Sequence, residues 1–249
     1  MPNIHRNISF ALVNIPVIMN PAIKNNDTSF NQLHKKCAHR IQYVKFCPLC
    51  KVKLKETDII KGYEVEKGEY LTFDKQEIEK LRPETEKEIE ITAFIPISEI
   101  DPIYFEKSYC LNAETKSKAY YLFCEALKKT KQVALCKLVI GSKFYYAILR
   151  FTPTGIILTT LYFEEEVNLP TTELNGKLND KELNLAIELI NSLKGSFEPE
   201  KYKDEYQENI QKAIKEKQNG KKVKGEKKKP KKQVSDLMEA LEKSLKKKS

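Results

Sequence analysis

Tryptophan is absent from the 249 residues, and glycine (8), histidine (3) and cysteine (6) are scarce. Eight glycines with 11 prolines exclude a fibrous repeat. Neither common type of glycine-rich phosphate loop occurs. Two of the three histidines lie inside a cysteine cluster, which leaves His5 alone for acid–base work. Glu164-Glu165-Glu166 follows a strand and reads as an acidic strand end facing solvent. Nothing in the sequence supports an enzyme. No apolar run reaches 18 residues, so no membrane span is expected. Ile8–Met19 is apolar after Arg6, but Asn14 and Pro16 interrupt it and no small-residue cleavage site follows, which excludes a signal peptide. Six cysteines in a chain this long do not make a disulfide scaffold. A reducing cytoplasm is expected, where close cysteines bind metal more often than they bridge.

What is present is a core and an uneven charge. Hydrophobic residues make up 41% and charged residues 32%, enough to bury a core and too apolar for wholesale disorder. The net charge is +9, and residues 217–249 alone carry 13 Lys against 4 acids. Within the neutral remainder, residues 1–62 hold 10 basic side chains against 3 acidic ones. Two separate basic zones point to a polyanion, nucleic acid before an anionic membrane surface.

Periodicity gives the organisation. Ile8–Pro21 reads as a strand, entering a loop at Asn25-Asn26-Asp27. Glu64–Phe73 holds two short strands around Lys67-Gly68, a hairpin, and Asp74 caps a short helix ending before Pro83. Glu86–Pro96 alternates as a half-buried strand. Lys116–Thr130 is an amphipathic helix through Ala119, Leu122, Phe123, Ala126 and Leu127. Val133–Ile140, Phe144–Phe151 and Ile156–Phe163 form an antiparallel meander with turns at Gly141-Ser142 and Pro153-Thr154-Gly155. Many strands and few helices predict a mainly β fold with some α, a barrel or sandwich. Lys181–Lys194 is a second helix, and Tyr202, Tyr206, Ile210 and Ile214 give a third. Residues 219–233 read as a disordered basic linker. Val234, Leu237, Met238, Leu241 and Leu245 then mark a short terminal helix, which in isolation needs a partner.

His34-Lys-Lys-Cys37 followed by Cys47-Pro-Leu-Cys50 has the spacing of a zinc ribbon. Zn²⁺ takes four N or S ligands in a tetrahedron, and two x2-spaced pairs on facing turns supply it. His39 is a rival ligand, and Lys51 stands where a glycine often follows such a turn. With four protein ligands the metal is structural, leaving no open position for a catalytic water. The alternatives are a reduced surface pair or a thioredoxin-type redox pair, although the latter's βαβ context is missing. Cys110, Cys124 and Cys136 lie on or beside apolar faces and read as small core residues. The same cluster holds Lys35, Lys36, Arg40, Lys45, Lys51, Lys53 and Lys55, cations that a pinned module would hold against phosphates. The bland alternative is a solvated face. No base-reading motif accompanies them.

Together these residues resemble the bacterial Ku family of DNA-end-binding proteins. Ile8-Ser9-Phe10-Ala11-Leu12-Val13-Asn14-Ile15-Pro16-Val17 is similar to the family's first barrel strand. Ser29–His34, Ile60–Glu64, Glu99–Phe105, Lys118-Ala119-Tyr120 and Leu161–Val167 resemble further family blocks in order, over residues 5 to 195. Asn7 and Ala11 stand where glycines are usual, and Asn112-Ala113-Glu114 replaces a proline-containing turn.

The resemblance implies a Ku-type barrel core with a DNA-encircling bridge over 1–195, the zinc-ribbon-like insertion at 34–53, and a helical segment at 196–218. It implies a homodimeric ring that threads ends of double-stranded DNA without reading sequence. It also implies recruitment of an ATP-dependent DNA ligase through 196–218, in non-homologous end joining near the nucleoid. The Lys-rich tail 219–249, with Lys221, Lys222, Lys224, Lys227, Lys228, Lys229, Lys231 and Lys232, would add affinity for duplex. The competing readings are a zinc-ribbon chromatin or transcription-associated factor that coats DNA, and a redox enzyme using Cys47 and Cys50.

Overall fold

The computed structural model describes residues 4–81, 87–115, 117–172 and 179–221. The tail cations from Lys222 to Lys232, and the terminal helix expected at 234–245, lie outside the described residues. Seven strands close into a barrel: β1 (Ile4–Phe10), β2 (Val13–Pro21), β7 (Glu88–Pro96), β8 (Phe105–Ala113), β9 (Gln132–Ile140), β10 (Lys143–Thr152) and β11 (Gly155–Leu161). Their spatial order is β1-β2-β8-β11-β10-β9-β7. β7 returns to β1 in parallel, pairing Ile8 with Ile89, and every other barrel neighbour is antiparallel. Closure removes the free edges that an open sheet of β-branched strands would expose to aggregation.

The stretch expected as one strand over Ile8–Pro21 is instead two, β1 and β2, folded into a hairpin at Ala11-Leu12. Ala11 takes a positive φ of 48° and leaves Leu12 fully exposed. An alanine supplies the left-handed residue where glycine or asparagine is usual, so the apolar run carried no turn signal. The β9–β10–β11 meander and the β7 strand fall where alternation places them.

Inward positions recur every second residue: Ile15, Val17 and Met19 of β2, and Cys136 and Leu138 of β9, have no exposure. Each such aliphatic side chain contributes roughly 1.5–3 kcal/mol through burial. Helix α2 (Lys118–Thr130) packs Tyr120, Phe123, Cys124 and Leu127 into this core. Ser117 caps it, accepting from the Tyr120 amide at 3.3 Å, and Lys131 closes it in the left-handed conformation. Cys124 and Cys136 are buried and Cys110 half-buried, as core residues should be.

The core clip is a residue that periodicity did not single out. The Tyr120 hydroxyl donates to the Leu111 carbonyl at 2.6 Å and accepts from the Ile156 amide at 3.2 Å. It thereby ties α2 to β8 and β11. Gly155 carries a φ of +136°, and a Cβ there would meet the same hydroxyl at 3.0 Å.

Between β2 and β7 runs an arm of different character. It holds β3 (Phe46–Cys47) with β4 (Val52–Lys53), β5 (Lys61–Glu66) with β6 (Glu69–Phe73), and α1 (Lys75–Lys80). Asp74 and Glu77 form a reciprocal capping box at the start of α1. From Ala22 to Leu81 no residue is buried.

The chain divides into two compact units, Met1–Asn25 with Asn31–Leu169, and Asn26–Phe30 with Pro170–Ser249. In the second unit α3 (Asp180–Ser192) and α4 (Glu205–Gln218) are capped by Asn179 and Asp204. Tyr202, expected within the third helix, precedes α4 and stacks on Phe197 at 5.3 Å. Segment 26–30 is held to α4 by Gln207, whose side-chain Oε1 accepts from the Thr28 amide at 3.0 Å, and by Gln211, whose side-chain amide donates to the Thr28 hydroxyl at 3.0 Å.

Candidate nucleic-acid interface

Two turns of one design organise residues 33–54. In the first, the Ala38 amide donates to the His34 carbonyl at 2.8 Å, and Ala38 has φ +54°. In the second, the Lys51 amide donates to the Cys47 carbonyl at 2.8 Å, and Lys51 has φ +56°. Each turn places its x2-spaced pair on one side. His34 Nδ1 lies 3.1 Å from the Cys37 sulfur, and the Cys50 amide donates to the Cys47 sulfur at 3.5 Å. Short ladders brace both turns, through the Leu33–Arg40 bridge and through β3–β4. Lys51 thus takes the conformation that glycine would supply.

That amide of Cys50 is the main reason the Cys47 thiol ionises more readily than an ordinary cysteine. The hydrogen bond and charge of Cys47 push Cys50 the other way. The donor set of one imidazole and three sulfurs suits Zn²⁺. Among the described residues, however, no three His, Cys, Asp or Glu side chains form a group that would hold a metal ion. His34–Cys37 and Cys47–Cys50 stand as two pairs.

The cations around these turns are all exposed: Lys35, Lys36, Arg40, Lys45, Lys51, Lys53 and Lys55. Lys45 is committed, forming an ion pair with Glu56 whose carboxyl it holds below the usual range. The other six have no carboxylate partner among the described residues. Lys221, three residues past the end of α4, is exposed as well. Free cations on small braced turns suit contact with phosphate oxygens, which position a duplex without reading its bases.

Other candidates take ordinary roles. His5 is a surface residue paired with Glu114 at 2.9 Å. Glu166 accepts from Lys143 at 3.1 Å and from the Phe163 amide at 3.0 Å, so the acidic strand end is held by its own neighbours. Arg6, read only as a charge before an apolar run, is largely buried and donates to the Val139 carbonyl at 2.9 Å. Its position two residues before Ile8, on the same strand face, was the available signal.

A family model described as the Ku70/Ku80 beta-barrel domain matches residues 9–185. The chain belongs to the Ku family. The Non-homologous end joining protein Ku of Desulfitobacterium hafniense is 40% identical over 241 residues, covering 96% of this chain and 85% of the relative. Proteins of the same name from Lachnoclostridium phytofermentans and Bacillus subtilis are each 37% identical over 96% of the chain, and it covers 94% and 79% of them. The Ku match takes in the arm, the paired turns and the barrel apart from most of β1. α4 lies beyond it, although the bacterial Ku relatives align over nearly the whole chain.

Proposed function

We propose that this protein binds ends of linear double-stranded DNA, without sequence preference, as a ring-shaped homodimer in non-homologous end joining. The carrying observation is the arm: fifty-one consecutive residues, Asn31–Leu81, none of them buried, bearing around the two turns six cations with no carboxylate partner among the described residues. A segment that buries nothing of its own gains stability from what covers it. A second copy against its apolar side chains and phosphates against its cations supply both covers. Membership in the Ku family and the shared name of the bacterial relatives support the reading.

Three finer assignments go with it. His34, Cys37, Cys47 and Cys50 hold a structural Zn²⁺ once the two turns close on one point. The metal would fix the cations and take no part in chemistry. Residues 196–218, including α4, contact the ATP-dependent ligase. Residues 219–249 add salt-sensitive affinity for DNA already held.

A gel-shift competition at two salt concentrations tests the central claim. A linear duplex probe is challenged with linear or covalently closed circular DNA of the same sequence. Displacement by the linear competitor alone supports threading of an end. Equal displacement by both would make this a general DNA-coating protein.

A further inference from the structure

An apolar recess of about 560 Å³ opens on the barrel unit, lined by Phe10, Val13, Phe94, Leu122, Phe123 and Ala126 among others. It shares no residue with the cationic arm. Leu122 is 70% exposed, Phe94 43% and Val13 38%, a costly display of large side chains for a barrel otherwise well packed. No Lys, Arg or His lines it, so phosphate finds no partner on its floor.

Charge around the recess is one-sided. Lys118, Leu122, Ala126 and Thr130 follow one another down α2 at four-residue spacing, and Lys129 falls two turns beyond Leu122 on the same side. Lys118 and Lys129 are exposed and have no carboxylate partner among the described residues. The single acid of α2, Glu125, pairs with Lys128 at 3.5 Å. Lys118 stands at the first position of α2, where the helix dipole disfavours a cation, so α2 itself gains nothing from it. On the hairpin side, the surface that shares Phe10 and Val13 carries Glu88 and Glu90. Those two are already met, Glu88 by the Ser9 hydroxyl at 3.3 Å and Glu90 by Lys137 at 3.1 Å. The uncompensated charge is positive and lies along α2.

The barrel decides the form of the occupant. Its closed sheet leaves no strand edge for an incoming strand to extend. A segment laid on this surface must satisfy its own backbone, and a helix does so. Ala119 and Ala126 leave a furrow beside the Leu122 ridge, the relief into which a helix packs. A second copy of α2 fits poorly, since Lys118 and Lys129 would face their own kind. The recess asks for an apolar stripe with acids along one edge.

We propose that this recess is a docking site for an amphipathic helix of another protein, its apolar stripe against Leu122 and Phe94 and a row of Asp or Glu toward Lys118 and Lys129. The site lets the chain carry a protein partner without giving up any cation of the arm.

The probe is a fluorescein-labelled synthetic helix of about 16 residues, stapled to hold its conformation, with Leu and Phe on one stripe and Glu along one edge. Its twin carries Lys in place of Glu. Fluorescence anisotropy with the full-length chain is expected to show the acid-edged helix bound about tenfold or more tighter than the twin, the gap narrowing as salt is added. Leu122→Asp should weaken the acid-edged helix by about tenfold or more. Lys118→Glu combined with Lys129→Glu should reverse the preference between the twins, a result that a misfolded variant does not give. No binding of the acid-edged helix, indifference to Leu122→Asp, or a preference that survives charge reversal would overturn the proposal. A change of oligomeric state in Leu122→Asp by analytical ultracentrifugation would assign the recess to a second copy instead. Displacement of the helix by a short linear duplex would assign the two lysines to DNA. None of these readouts concerns linear against closed circular DNA, so the recess and the end-binding reading fail separately.

Discussion

Ala38 and Lys51 are the same residue of the same turn, twice. Each follows the second member of an x2-spaced pair, sits at a φ near +55°, and donates its amide at 2.8 Å to the carbonyl of the pair's first member. Neither is glycine, so each holds a conformation that costs an L-residue roughly 1–2 kcal/mol. On the zinc site proposed above, Ala38→Gly should therefore tighten metal binding and Ala38→Val should weaken it by about tenfold or more. Competition with a chromogenic chelator measures both. Equal affinities for the three proteins would remove these turns from the metal site.

The thiols should separate into two classes. Cys37, Cys47 and Cys50 lie at or near the surface, while burial pushes the Cys136 thiol far above its ordinary range and raises Cys124 as well. A thiol reagent at neutral pH is expected to label the first three rapidly in metal-free protein, Cys47 ahead of Cys50. Zn²⁺ should protect all three together. Labelling that ignores zinc would indicate a reduced surface pair and no metal.

Tyr120→Phe should destabilise the barrel more than the loss of one oxygen suggests. It strands the Leu111 carbonyl and the Ile156 amide in a buried setting, at a cost of about 1–3 kcal/mol. Chemical denaturation of the variant checks this, and an unchanged midpoint would show that the two strands satisfy each other without the clip.

Glu166 is held below the usual carboxylate range, first by the Phe163 amide and then by Lys143. Because its folded value is depressed, its contribution is present above the ordinary glutamate range of about 4.3 and disappears as pH falls through the lower folded value. The partner Lys143 is raised by Glu166, so its share is present below the usual lysine range and fades only as pH rises beyond it. A carboxyl-detected NMR titration should find Glu166 ionising below an ordinary glutamate, and Lys143→Met should bring it part of the way back.

Removing residues 217–249 deletes 13 Lys and 4 acids. Affinity for duplex and the steepness of its salt dependence should both drop, since fewer counterions are released. Preference for linear over closed circular DNA should survive. A truncated protein that binds both forms alike would mean that the tail, and not the arm, confers selectivity.

Alternation in β7, β9, β10 and β11, the capped helix α2 and the Lys67-Gly68 hairpin follow from residue order because each depends on near neighbours, and the ordered family blocks then fixed the barrel. The pairing of His34 with Cys37 and of Cys47 with Cys50 was legible for the same reason, as three residues of separation are spanned within one turn. What the order of residues did not disclose are relations set by close approach of distant strands. The Ala11 turn was hidden from periodicity because alanine gives no sign of a positive φ; only the glycine usual at that position in the family hinted at it. The bond of Arg6 to Val139 joins residues 133 apart, and the Tyr120 clip needs three elements at once. Lys45 looked as free as its neighbours until folding brought Glu56, eleven residues on, against it. Composition and local periodicity determined most strands and helices and the cationic surface, but neither the break between β1 and β2 nor β8. Only the folded chain decided which polar groups meet, because a hydrogen bond or ion pair across the fold has no footprint in local spacing.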